Sequence, residues 1–220
     1  METVKFQTTD LVTIVGDFVN PAGAKKAVLL LHMMPETRGS WTALSSELNK
    51  AGLATLAIDL RGHGESNKQL TTNNLQQINY QSFSDKEHQA SRLDVDAAMN
   101  FLKSKGFAEE NIFVAGASIG ANLTLDAMYR YKEISRGVLL SPGLDYRGVK
   151  TESAMKQLSA TQKIWIIAAK ADEYSAESTK TLAGMRPDIA KSTIFSGSDH
   201  GTNLFKSQKT LIQEIVKFFQ

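Results

Sequence analysis

Five short runs in this 220-residue chain are almost continuously apolar: Ala27–Leu31, Ala54–Ile58, Ile112–Ala115, Gly137–Leu140 and Lys163–Ala168. A strand with one wet face alternates apolar and polar residues, whereas a strand covered on both faces does not. These runs therefore predict a parallel sheet clothed by helices on both sides. The segments between them keep helical spacing. Trp41, Leu44 and Leu48 share a face that Gly52 terminates, and Ala90, Leu93, Ala97 and Phe101 form a second stripe behind a Ser84–Glu87 capping box. Further helices are expected over Ile119–Tyr131, Thr151–Leu158, Ala176–Ala183 and Leu204–Phe219, the last through Leu211, Ile212, Ile215, Val216 and Phe219. Val4–Gln7 and Leu11–Val19 read as an opening hairpin, and Ser192–Phe195 as a last strand. Such alternation describes a three-layer α/β fold with a mostly parallel central sheet, and the length suits a single domain over residues 1–220.

Composition narrows the chemistry. Lys+Arg 25 against Asp+Glu 23 gives no electrostatic reason to expect a nucleic acid or an anionic membrane as partner. No apolar run approaches the roughly 18 residues of a membrane span. The opening METVKFQTTDLV lacks the regions of a signal peptide, which sets a cytoplasmic expectation that an exported mature form would share. Zero cysteines exclude a thiol nucleophile, disulfides and Cys-ligated metals. There is no phosphate loop, no dinucleotide fingerprint and no histidine pair at metal spacing, so neither a cofactor nor a metal is expected. The polar stretch 67–84 is too long for a simple connector. It is either a solvated loop or a partial lid in which Leu70, Leu75, Ile78, Tyr80 and Phe83 cover one wall of a site.

The segment Gly116-Ala117-Ser118-Ile119-Gly120 lies between a predicted strand and a predicted helix. A serine on so sharp a turn sits at strained backbone angles that project its hydroxyl. Side chains two residues to either side would collide, hence the glycines. The N–H of Ile119 would then face the site from a helix N-terminus, where a developing oxyanion is favoured.

A nucleophilic serine needs a base, and the base an orienting carboxylate. His88 opens a polar-faced helix and reads as a surface residue. His63, in Asp59-Leu-Arg-Gly-His-Gly-Glu-Ser, suits a loop-fixing role, and His32 ends the Ala27–Leu31 run at the sheet edge where sites form. His200, in Ser196-Gly-Ser-Asp-His-Gly, follows the last predicted strand and is the expected base. Asp172 is the first choice of carboxylate because it follows a strand directly and is short. Glu173 is expected to face solvent or cap a helix, and Asp199, adjoining His200, ranks third. Asn122-Leu-Thr124 matches a glycosylation sequon but falls inside a helix, where a structural role is expected. Arg61 and Arg92 are expected to be solvated or paired.

Taken in order, Leu29-Leu-Leu-His32-Met-Met-Pro, Asp59-Leu-Arg-Gly-His-Gly-Glu-Ser, Gly116-Ala-Ser-Ile-Gly, Asp172 and Asp199-His200-Gly resemble the α/β-hydrolase superfamily, in particular small bacterial esterases and dienelactone-hydrolase-like serine hydrolases. The resemblance spans about residues 27–220. It implies Ser118 as nucleophile, His200 as base, Asp172 as orienter, and an oxyanion hole from the N–H groups of Ile119 and a residue just after His32. This chain has His32-Met33-Met34 where His-Gly is usual, which makes Met34 the expected second donor. Met33 and His32 are expected to border the substrate. The short interval Ser141–Gln162 leaves no room for a cap domain. The expected activity is cleavage of small-molecule carboxylic esters with short or medium acyl groups. A thioesterase or lactone hydrolase with the same triad is the alternative, as is a non-catalytic binding protein on the same fold. Oligomeric state has no signal in the sequence.

Overall fold

The computed structural model describes residues 1–72 and 74–220; Asn73, within the polar stretch, lies outside the described residues. The chain opens with an antiparallel pair, β1 (Glu2–Gln7) and β2 (Val12–Val19). It continues through β3 (Ala27–Leu31), α1 (Thr42–Lys50), β4 (Ala54–Ile58), the hairpin β5 (Lys68–Leu70) and β6 (Leu75–Gln77), α2 (Asp85–Gln89) and α3 (Arg92–Ser104). The second half runs β7 (Ile112–Ala117), α4 (Ile119–Arg130), β8 (Arg136–Leu140), the small hairpin β9 (Asp145–Tyr146) and β10 (Val149–Lys150), and α5 (Glu152–Lys156). It ends with β11 (Lys163–Ala169), α6 (Glu173–Met185), β12 (Ala190–Phe195), α7 (Leu204–Ser207) and α8 (Leu211–Phe219).

The main sheet has the order β12-β11-β8-β7-β3-β4-β2, with β1 and the β5–β6 hairpin both added to β2. Every pair from β4 to β12 is parallel, and β2 is antiparallel to β4. The period-2 geometry of β3 divides its apolar run between two cores. Val28 and Leu30 pack with Trp41, Leu44 and Leu48 near α1, and with Leu211, Ile215 and Phe219 of α8. Leu29 and Leu31 face the other way, toward Val95, Met99 and Leu102 of α3 and Leu123 of α4. Because the central strands are parallel and in register (Leu31 opposite Gly116, Ala117 opposite Leu140, Ile167 opposite Leu140), the loops after β3, β7, β8 and β11 emerge at one edge. That edge is where open α/β sheets carry ligands.

Three local expectations need revision. In α3 the buried residues are Asp94, Val95, Ala97, Ala98, Met99 and Leu102; of the expected Ala90-Leu93-Ala97-Phe101 stripe Ala97 is buried, while Ala90, Leu93 and Phe101 are half-buried at its edge. The inward position is held by Asp94, which accepts Arg61 N–H and Arg61 Nε, each at 2.9 Å. The expected 204–219 helix is two helices, interrupted between Ser207 and Leu211. Within 67–84, β5 pairs with Val12–Thr13, the part of β2 that extends past β4, and Leu70 and Leu75 stay exposed. Tyr80 instead stacks on His63 with ring centroids 3.8 Å apart. The Ser84 capping box is present, with both reciprocal hydrogen bonds to Glu87.

Phe219 is fully buried and stacks on Phe113 at 5.5 Å, closing the core beneath α8. Phe219→Ala is expected to cost about 3–5 kcal/mol of unfolding free energy. Urea denaturation followed by circular dichroism reads this directly.

Candidate active site

The turn between β7 and α4 is built on a steric requirement. Ser118 sits at φ 53° and ψ −120°, a conformation that costs a non-glycine residue on the order of 1–3 kcal/mol. Its own N–H is tied to Leu140 O at 2.9 Å. A Cβ on Gly116 would lie 2.0 Å from Gly120 O, and one on Gly120 would lie 2.2 Å from Leu31 O. Both contacts are with backbone, so only glycine lets β7, α4 and the end of β3 approach this closely. Ser118 is 8% exposed and stands at the head of α4. The N–H of Ile119, first residue of that helix, has no acceptor within the helix itself.

His200 lies just after β12 and Asp172 just after β11, two adjacent parallel strands. His200 Nδ1 meets Asp172 Oδ2 at 2.7 Å. Burial alone would raise the Asp172 carboxyl, but His200 and the hydroxyls of Ser175 and Ser141 overcome it and hold the group below its ordinary range. The His200 loop is pinned from behind, because Gly201 N–H donates to Ser141 Oγ at 2.9 Å. Gly201 itself has φ 57°, and an added Cβ would strike Met33 Sδ at 2.4 Å. Ser118, Asp172 and His200 thus sit on loops leaving the same sheet edge. Glu173 opens α6 in an exposed position.

The residues after β3 divide differently from expectation. His32 is fully buried, and both ring nitrogens are committed to backbone: Nδ1 to Met33 O at 2.8 Å and Nε2 to the N–H of Leu60 at 2.9 Å. It bridges the loops after β3 and β4, and it has no surface with which to border a substrate. Burial, with the neighbouring His63, drives its pKa down to about 3. Met33 is also buried, packed with Trp41, Ala117 and Leu204 against Gly201, so it props the His200 loop from below. Met34 alone reaches a cavity of about 430 Å³, which it lines with Pro35, Tyr80, Phe83, His88 and Arg147. His88, expected at the surface, is buried with its ring edge-on to Phe83 at 5.5 Å. His63 Nδ1 contacts Arg61 O at 3.0 Å, the loop-fixing position expected for it.

Buried ion pairs hold the loop after β4. Asp59 accepts from Arg38 N at 2.8 Å and Glu65 N at 2.9 Å, and it pairs with the Arg38 guanidinium. A Cβ on Gly64 would fall 2.2 Å from Asp59 Oδ2. Arg61 pairs with Asp94 and Asp10. Away from this loop, the exposed Arg92 of α3 pairs with Asp126 of α4.

Sequence reading missed the hairpin β9–β10. Asn122, fully buried in α4, donates from Nδ2 to Val149 O at 2.7 Å and accepts Gly143 N–H at 3.1 Å. These bonds hold the hairpin over the head of α4 and bring the Tyr146 ring edge-on to His200, with centroids 6.4 Å apart. The only prior signal was a turn-rich Ser141-Pro-Gly-Leu-Asp-Tyr-Arg-Gly following a strand.

Residues 22–186 match the family model of serine aminopeptidase, S33. The chain belongs to this family of α/β-hydrolases. Its fold is likewise shared with solved structures of low sequence identity. An esterase from Pyrococcus furiosus is 19% identical with a TM-score of 0.77, the match covering 99% of this chain and 90% of that one. An esterase from Exiguobacterium antarcticum is 12% identical at TM-score 0.73, covering 99% of each chain. A dienelactone hydrolase from Anabaena variabilis is 17% identical at TM-score 0.73, covering 100% of this chain and 98% of its own. No curated protein matches the chain significantly. Among the described residues, no helix is long and apolar enough to cross a membrane.

Two outcomes are expected of this S33-family hydrolase. Gly120→Ala pushes a Cβ into the Leu31 and His32 carbonyls, so it should lower stability by more than about 2 kcal/mol. Comparison of denaturant midpoints checks this. Neutral His32 is required because its Nε2 must accept from Leu60 N–H. Its pKa is depressed from 6.5 to about 3. As pH falls below 6.5 the unfolded chain takes up a proton that the folded one refuses. Stability therefore falls with decreasing pH, at up to about 1.4 kcal/mol per pH unit from this group. A His32→Gln variant should show a pH–stability slope shallower by about that amount.

Proposed function

We propose that this α/β-hydrolase is a serine hydrolase that cleaves carboxylic esters with short or medium acyl groups, using Ser118, His200 and Asp172. The observation that carries this reading is the 2.7 Å Asp172–His200 contact beside the strained Ser118 turn. An Nδ1–H donated to an ionised carboxylate leaves the Nε2 lone pair free to act as base. His200 takes the Ser118 proton as Oγ attacks the ester carbonyl. The tetrahedral oxyanion is received by the N–H groups of Ile119 and Met34. His200 then protonates the departing alkoxy oxygen, leaving an acyl-enzyme, and activates the water that releases the acid. The cavity lined by Met34, Pro35, Tyr80, Gln81, Phe83, His88 and Arg147 adjoins the proposed oxyanion donor, mixes polar with apolar groups and has a volume fitting a short chain.

The test is hydrolysis of p-nitrophenyl acetate, butyrate and palmitate by native and substituted protein. Ser118→Ala should abolish turnover over background while remaining folded, and Asp172→Asn should lower kcat by roughly 10⁴-fold. Butyrate should be turned over faster than palmitate. Turnover preserved in folded Ser118→Ala refutes the assignment.

A further inference from the structure

The starts of β8, β11 and β12 lie at the sheet edge opposite the triad positions, and there the fold collects cations that are far apart in the sequence. The register sets Arg136 of β8 beside Lys163 of β11, and Trp165, two residues on, beside Lys191 of β12. The helix α8 packs over these strands and contributes Glu214, Lys217 and Phe218. Together these residues line a groove of about 570 Å³. It holds four cations against one carboxylate, in a chain whose whole net charge is +2.

The cations are held in place, yet none is spent on a carboxylate. Arg136 Nη1 donates to Phe218 O, and its guanidinium lies 5.8 Å from the Phe113 ring centroid and 5.9 Å from that of Phe218. Lys191 Nζ sits 3.8 Å from the centroid of Trp165, whose Nε1–H is anchored on Thr193 Oγ1 at 2.9 Å. Lys163 Nζ donates to Asp188 O at 3.3 Å, while the Asp188 carboxylate is taken by Arg186. Glu214 accepts from Thr210 Oγ1 at 2.7 Å. Arg38, Arg61, Arg92, Arg130, Arg147 and Arg186 each stand within 4.0 Å of a carboxylate. Among the described residues, Arg136 and the three lysines of the groove have no such partner. Gathering like charges opposes folding, and a bound anion would offset it.

We infer that this groove binds a compact phosphate-bearing polyanion of the di- or triphosphate class. The planar N–H fork of an arginine matches phosphoryl oxygens, and that of Arg136 makes a single hydrogen bond within the chain. The lysines add point charges around it. Arg136 and Lys163 come from strand starts, Lys191 from the edge strand and Lys217 from the helix above. Linked tetrahedral phosphoryl groups present oxygens in all of these directions, whereas a planar carboxylate presents them in one plane. The volume falls in the range of small-ligand sites. Because Lys163 begins β11 and Asp172 follows its far end, this site is separate from the one that holds the triad positions.

Calorimetric titration of the native protein with sodium tripolyphosphate at low ionic strength tests the inference. One molecule should bind per chain, and affinity should fall as NaCl is added. Lys163→Gln and Lys191→Gln should each weaken binding by about 3- to 10-fold, and Arg136→Gln by about 10- to 100-fold. Glu214→Gln removes the carboxylate from the groove and should tighten binding by about 2- to 5-fold. Lys180→Gln, on α6 and paired with Glu177 outside the groove, should leave it unchanged. Lys163, Lys191 and Glu214 are exposed, so their variants decide the matter even if Arg136→Gln does not fold. Citrate and hexaglutamate should bind about 10-fold more weakly than tripolyphosphate. Absence of saturable binding, an equal loss in Lys180→Gln and Lys191→Gln, or citrate or hexaglutamate binding as tightly as tripolyphosphate overturns the inference.

Discussion

The arrangement depends on a close backbone contact: the first turn of α4 lies against the carbonyl end of β3, with nothing larger than hydrogen between Gly120 and Leu31 O. That approach brings the Ile119 N–H beside the loop that follows β3 and forces Ser118 to φ 53°. The surrounding packing resists relaxation of the turn. β7 lies between β3 and β8 in the parallel sheet, and Ser118 N–H is fixed to Leu140 O. Strain at one residue is thereby balanced by the pairing of whole strands.

Around this contact the loops are fastened by buried polar groups. His32 joins the β3 and β4 loops, Asp59 binds Arg38 and Glu65, Arg61 binds Asp94, and Asn122 binds the β9–β10 hairpin. Removing one partner from such a pair leaves the other desolvated and unsatisfied. These residues therefore set loop position with little freedom, the condition for holding catalytic groups at working distance. Ser141 serves both sides of the site, helping to hold the Asp172 carboxyl low and accepting the Gly201 N–H next to His200.

Much of this was legible before the structure. Apolar runs without alternation mark the buried parallel strands because nothing else about them varies, and the glycines around Ser118 report a steric demand local to five residues. The order of Ser118, Asp172 and His200 could be read because each follows a strand run. What escaped the sequence depends on partners distant along the chain. The inward face of α3 is set by Asp94 meeting Arg61, which no apolar periodicity can show. His88 is buried because Phe83 folds back over it, and the polar 67–84 stretch becomes a hairpin because β2 outruns β4. His32 and Met33 looked placed for substrate, yet their side chains turn inward, one to Leu60 N–H and the other beneath Gly201. Tyr146 was unreadable because its position is determined by Asn122 and Tyr174 across the fold.

The central claim is that Ser118 carries the acyl group between two half-reactions. Acid quenching of the enzyme within its first turnover of p-nitrophenyl butyrate, followed by peptide mass spectrometry, tests it most directly. The account predicts a butyryl mass increment on the peptide containing Ser118, located on that serine by fragmentation. Product release without acylation of Ser118, or an acyl group located on another residue, would contradict it.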